Sequence, residues 1–119
     1  MKYKNTLNNG SVRCIIFKEG DTWYGVALEF NLIEEGQDPL EVKASLYQAI
    51  KGYVQTARKI KMRPISLNQN PDKEYENLWQ ALQDRVSSEN SKKSETIIGD
   101  KKIFDFGYHV GAFSPALNC

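Results

Sequence analysis

Histidine is nearly missing from this chain: His109 is the single one among 119 residues. Cysteine is scarce too, with Cys14 inside an apolar run and Cys119 at the last position. These shortages remove the usual zinc arrangements, which need closely spaced Cys and His pairs. They leave no disulfide framework beyond a Cys14–Cys119 pairing, and a small buried thiol is the simpler reading of Cys14. Neither sign of charge is in excess: 16 basic residues against 15 acidic ones give a formal net charge of +1. No global field therefore draws the chain to nucleic acid or to an anionic membrane, and local patches must carry any such role. An apolar run long enough to cross a bilayer is also lacking, and Met1-Lys2-Tyr3-Lys4-Asn5 has no signal-peptide core. The expected compartment is the cytoplasm, with no membrane partner. There is no phosphate-cradling loop, since Gly107 and Gly111 have neither Walker nor Rossmann spacing, and no cofactor is expected.

What is present is a 40% hydrophobic, 26% charged chain whose length fits one domain with a modest core. Its organising stretch runs from Gly36 to Lys61. Asp38 is placed to cap a helix, Pro39 sits where a missing N–H costs nothing, and Glu41 completes a capping-box-like spacing. Val42, Leu46, Ala49, Ile50, Tyr53, Ala57 and Ile60 then recur at steps of three and four, the stripe of a long amphipathic helix. Ahead of it, residues 1–10 read as a frayed or accessory start. Ser11–Lys18, β-branched and apolar on both faces, reads as a central strand. Thr22–Phe30 alternates with period two: Tyr24, Val26, Leu28 and Phe30 on one face, Trp23, Gly25, Ala27 and Glu29 on the other. The bulky face is the expected seat of the long helix. Asn31–Glu35 makes a shorter third strand, and Ile65–Leu67, after Pro64, a short edge strand.

A second helix is expected after Asn70-Pro71-Asp72, with Tyr75, Leu78, Trp79, Leu82 and Val86 as its apolar stripe. The polar run Ser87–Ser94 reads as a flexible loop. Thr96–Ile98 and Lys102–Phe106 flank Gly99-Asp100-Lys101 as a small hairpin. The fold class is thus α+β in a single domain over 1–119. An antiparallel sheet of three to four strands carries a long helix on one face. Residues 11–67 form a β-β-β-α-β unit, and 70–119 add a helix, a loop and a hairpin.

The strand pair around Trp23-Tyr24-Gly25-Val26-Ala27, the segment Gly36-Gln37-Asp38-Pro39-Leu40-Glu41, and the helix pattern Val42, Leu46, Ala49, Ile50, Tyr53 together resemble the HicB-like antitoxin family, over residues 12–58. The resemblance implies a partial RNase H-like fold and a non-catalytic domain. Such a domain would bind and neutralise a small RNA-cleaving toxin, and would commonly form homodimers or higher homo-oligomers. Two departures stand out. Leu28-Glu29-Phe30-Asn31-Leu32 lacks the family's proline, glycine and cysteine at the entry to the third strand. Residues 70–119 show no helix-turn-helix or ribbon-helix-helix pattern.

Chemistry has few candidates. A two-metal nuclease needs clustered carboxylates, and of Asp21, Glu29, Glu34 and Glu35 only Glu29 lies well inside an expected strand. His109 has no assignable nucleophile and reads as a loop residue, so no catalytic residue is named. For partner binding, Trp23, Gly25, Ala27 and Glu29 make a large ring beside small residues, the pattern of a docking place. Arg58, Lys59, Lys61 and Arg63 form the strongest basic cluster. It serves the negative pole of the helix or, as an alternative function, weak contact with nucleic-acid phosphates. The strand edges and the aromatic tail favour self-association.

Overall fold

Val12–Glu19 forms β1, the strand around which the sheet is laid. In the computed structural model, residue 5 and residues 10–89, 95–98, 101–104 and 108–110 are described. Cys14, Ile15, Ile16 and Phe17 are all buried, as a strand covered on both faces requires. β2 (Thr22–Ala27) pairs antiparallel with β1, and β3 (Leu32–Gly36) with β2. A 22-residue helix, α1 (Pro39–Ile60), follows, and then a second helix, α2 (Lys73–Glu89). The hairpin β4 (Glu95–Ile98) and β5 (Lys101–Phe104) joins the same sheet, in the order β3-β2-β1-β5-β4. β6 (Tyr108–Val110) shares the second edge of β1. It pairs with Val12–Cys14, while β5 pairs with Phe17 and Lys18. Every pairing is antiparallel, so the α+β class with its long helix, second helix and hairpin stands. Among the described residues, no helix is long and apolar enough to cross a membrane.

α1 begins as its sequence dictates. The Asp38 carboxylate accepts from the Leu40 N–H at 3.3 Å, with Pro39 in the first turn. It ends on Lys61, whose left-handed backbone (φ 54°) turns its N–H back to the Ala57 carbonyl. Its stripe, Val42, Leu46, Ile50, Val54 and Ala57, is buried against Val12, Cys14, Ile16, Trp23 and Ala27. Burying a Leu or Ile side chain of this kind stabilises by about 1.5–3 kcal/mol. α2 covers the other face, where Tyr75, Leu78, Trp79 and Leu82 meet Ile15, Phe17, Val26, Leu28 and Ile103. The expected seating is therefore corrected: α1 lies on the Trp23–Gly25–Ala27 face, and α2 takes the bulky face of Tyr24, Val26 and Leu28. The reason is closeness. A Cβ built on Gly25 would stand 2.8 Å from Val42 Cγ1 and 3.0 Å from Ile16 Cδ1, so only glycine lets α1 settle this deep.

Other expectations shift locally. β2 ends at Ala27, and Leu28–Phe30 turns as a 3-10 helix closed by Asn31 in the left-handed region (φ 53°). Pro64–Leu67 is a 3-10 helix and not an edge strand. Tyr53 Oη donates to Ser66 O at 2.7 Å, and Gln69 Nε2 reaches the same carbonyl at 2.9 Å, a pairing that a strand would have spent on a neighbouring strand. Position 5 is no frayed end: Asn5 is fully buried. Its Nδ2 donates to Leu67 O at 2.8 Å and its Oδ1 accepts from Ser11 N at 2.9 Å. Its backbone is bracketed by the Asn68 side chain. Residues 87–89 belong to α2, and residues 108–110, expected in a loop, form β6. Cys14 is buried, as expected of a small thiol in an apolar strand. The remaining expectations for residues 90–94, 105–107 and 111–119 lie outside the described residues.

Candidate interaction surface

The residues expected to receive a partner are brought together, but not in the open. Trp23 is 6% exposed and Ala27 is fully buried, both beneath α1 in one cluster, with Gly25 between them. The docking place read from the sequence is the seat of the chain's own helix. Glu29, the fourth residue, lies on the 3-10 helix after β2 and has a different task. Its carboxylate accepts from the backbone N–H of Arg13 at 2.8 Å and pairs with Arg13 Nε.

Arg13 is the centre of the most elaborate polar arrangement described. Its Nη1 and Nη2 donate in parallel to Glu76 Oε1 and Oε2, at 2.6 and 2.8 Å. The guanidinium lies over the Trp79 ring, 5.6 Å from its centroid. β1 is thereby clasped to α2 and to the turn after β2. The bond to Glu76 foremost, with Glu29 adding to it, holds the Arg13 pKa above its ordinary value, and desolvation opposes the shift. The Glu76 carboxyl is held below its ordinary value by Arg13, with burial opposing. Also at the first turn of α2, Lys101 Nζ lies 2.9 Å from Glu19 and 3.6 Å from Glu74, above the Phe17 ring. These groups are paired with one another. Their arrangement fastens elements and presents no open acid–base pair. Among the described residues, no cluster of three or more His, Cys, Asp or Glu side chains is placed to hold a metal ion.

What stays open lies elsewhere. β3 is an edge of the sheet, hydrogen-bonded to β2 on one side. Ile33 on this strand is 51% exposed, and Leu40, in the first turn of α1, is 62% exposed. Glu35, Asp38 and Glu41 are exposed, with Glu34 half-buried. Glu41 leans over the end of β3, its Oε1 3.3 Å from where a Gly36 Cβ would stand. The residues of the expected basic cluster lie at and just beyond the opposite end of α1. Lys59, Lys61 and Arg63 are exposed and Arg58 is half-buried and engaged within the chain. Ile60 and Ile65, 61% and 59% exposed, stand among them. Sequence reading missed the β3 corner as a surface. Its signal was the run Leu32-Ile33-Glu34-Glu35, where one large apolar residue falls on the strand face that α2 leaves bare.

No family model, no curated protein and no solved structure matches this chain.

Proposed function

We propose that the chain is a non-catalytic protein-binding domain of the HicB-like antitoxin kind, which neutralises a small RNA-cleaving toxin by binding it. The observation that carries the reading is the β3 edge, which among the described residues pairs only with β2, with Ile33 exposed on it. An unpaired strand offers a row of backbone donors and acceptors, and the adjoining apolar side chains supply the pocket contacts that strand addition uses. The β-β-β-α order and the Asp38-Pro39 helix start agree with the resemblance. The partner surface is the β3 corner, since the Trp23 face is filled.

Co-expression with a HicA-type toxin tests this. The expected result is a complex that co-purifies and growth restored, both lost in Ile33→Glu. Absence of complex and of rescue removes the antitoxin reading. RNA cleavage by the purified chain, stopped by a chelator, would overturn its non-catalytic part.

A further inference from the structure

The register of the sheet determines which backbone groups of β3 are open. Gly20-Asp21 is a two-residue turn with Gly20 at φ 65°, and it closes on Glu19 opposite Thr22, a pair of the kind that exchanges both backbone bonds. Bonded and non-bonded pairs then alternate along the ladder. In β1, the N–H groups of Phe17, Ile15 and Arg13 therefore turn toward β2. Arg13 agrees with this parity: β2 has ended opposite it, and the Glu29 carboxylate accepts its N–H at 2.8 Å instead. In β2, Tyr24 and Val26 bond to β1, while Trp23, Gly25 and Ala27 bond to Gly36, Glu34 and Leu32 of β3. Ile33 and Glu35 are left. Each holds an N–H and a C=O on the outer side of β3, which among the described residues pairs only with β2.

The side chains of this edge end three cross-strand rows. Ile15, Val26 and Ile33 stand side by side on the α2 face, an apolar row whose last member is 51% exposed. Phe17, Tyr24 and Glu35 make the next row on that face, and it ends in an exposed carboxylate. On the α1 face, Ile16, Gly25 and Glu34 end in a half-buried one. Glu41 Oε1, 3.3 Å from where a Gly36 Cβ would stand, adds a third carboxylate on the α1 side. Among the described residues, no ion pair engages Glu34 or Glu35. Acids on an edge have a dull explanation, since charge there keeps strands of other copies away. That accounts for the glutamates but not for Ile33, because an exposed isoleucine on an open edge invites pairing.

We infer that the β3 edge takes a basic, extended segment of a partner protein as one more antiparallel strand. From its N-terminus, the segment places a Lys or Arg opposite Glu35, a second opposite Glu34, and a branched apolar residue opposite Ile33. The antiparallel sense follows the sheet, in which every pairing is of that kind. The backbone bonds go to Ile33 and Glu35, whose donors and acceptors point outward. The apolar residue lengthens the Ile15–Val26–Ile33 row by one member. Glu34 faces its cation in a non-bonded pair, where side chains come closest, so charge matching counts most there. The inference rests on the reading of β3 as the partner surface and specifies the chemistry of the segment it receives.

Titration of the isotope-labelled chain by NMR tests it, with two end-blocked peptides as probes, Thr-Lys-Lys-Val-Thr and Thr-Glu-Glu-Val-Thr. Amide hydrogen exchange is followed in the same samples. In the free chain the Ile33 and Glu35 amides should exchange quickly, and those of Leu32 and Glu34 slowly. The lysine peptide should shift and protect the Ile33 and Glu35 amides, and should bind at least about fivefold more tightly than the glutamate peptide. Glu34→Lys/Glu35→Lys, its fold checked by circular dichroism, should reverse that preference. Equal binding of the two peptides overturns the inference, as does no binding at millimolar peptide. Shifts without protection of Ile33 and Glu35 also overturn it, since they mark an ionic contact with no added strand. The two readings fail separately. A toxin that co-purifies and is lost in Ile33→Glu, while the lysine peptide fails, keeps the antitoxin reading and sinks the basic strand. Protection by the lysine peptide with no toxin complex does the reverse.

Discussion

The two faces of the sheet hold their helices by different means. On one, α1 is seated by shape: Gly25 removes a side chain, and Val42, Leu46 and Ile16 close over the gap. On the other, α2 is fastened by charge and aromatic contact: Arg13 grips Glu76, Trp79 lies under the guanidinium, and Tyr75 meets Phe17 at 6.1 Å. The first mode is insensitive to salt and pH and intolerant of added volume. The second adds an ionisation-dependent clasp to an apolar core of its own. Each face also carries its own tryptophan, Trp23 under α1 and Trp79 on α2, so Trp23→Phe and Trp79→Phe variants report on one face at a time.

The largest effect is expected from Leu46→Ala, which empties a fully buried site in the α1 face. Loss of about 3 kcal/mol of unfolding free energy should appear in urea melts, unchanged by salt. Next comes Gly25→Ala. Its new methyl meets Val42 Cγ1 at 2.8 Å, and overpacking of this kind costs about 1–3 kcal/mol. Val42→Ala in the same chain removes the colliding atom, so the double variant should be more stable than the sum of the two single losses allows. Strict additivity would show that α1 is not held by closeness at this point.

Smaller again is Glu76→Gln, which breaks the paired bonds to Arg13. The Glu76 side chain is 42% exposed, so screening discounts the pair to about 1 kcal/mol. The loss should shrink in high salt, and it should move Trp79 fluorescence with little change at Trp23. The mildest expectation concerns pH. Because the folded Glu76 pKa lies below the ordinary 4.5, its stabilisation is complete above that value and is lost as pH falls through the lower, folded one. Mild acid should thus loosen the α2 face before the α1 face, and Glu76→Gln should abolish that difference. An equal response of both tryptophans to acid would break the comparison.

Much of this architecture is legible in the residues. Asp38-Pro39 announces α1, the alternation of Thr22–Ala27 gives β2 its two faces, and Val42, Leu46, Ile50 and Ala57 of one stripe and Leu78, Trp79 and Leu82 of the other prove buried, while Ile60, expected in the first stripe, is exposed. Period two distinguishes the faces of a strand but does not say which helix each receives. Bulk suggested that the Tyr24–Val26–Leu28 side would take the longer helix. The deciding quantity is the distance of approach, and Gly25 carries it. The 3-10 helix at Pro64–Leu67 was hidden for another reason. Ile65 and Leu67 alternate like a strand, while the bonds that fix the turn come from Tyr53 and Gln69, and from Asn5 far away in sequence. Glu29 was expected inside a strand as a partner-binding residue; it lies on the 3-10 helix, and its partner Arg13 lies 16 residues away, beyond any local pattern.

β1 gains its first neighbour at once, through the tight turn to β2, and its other neighbours only from residues 101–110. Lys18 must wait for Lys102, and closing a loop of about eighty residues costs about 2–3 kcal/mol more than closing one of a few. On the ribosome, then, α1 has its seat long before the central strand is covered along its second side. A nascent chain halted near the end of α2 would carry an uncovered ribbon at its middle, a target for chaperones until residues 101–110 emerge.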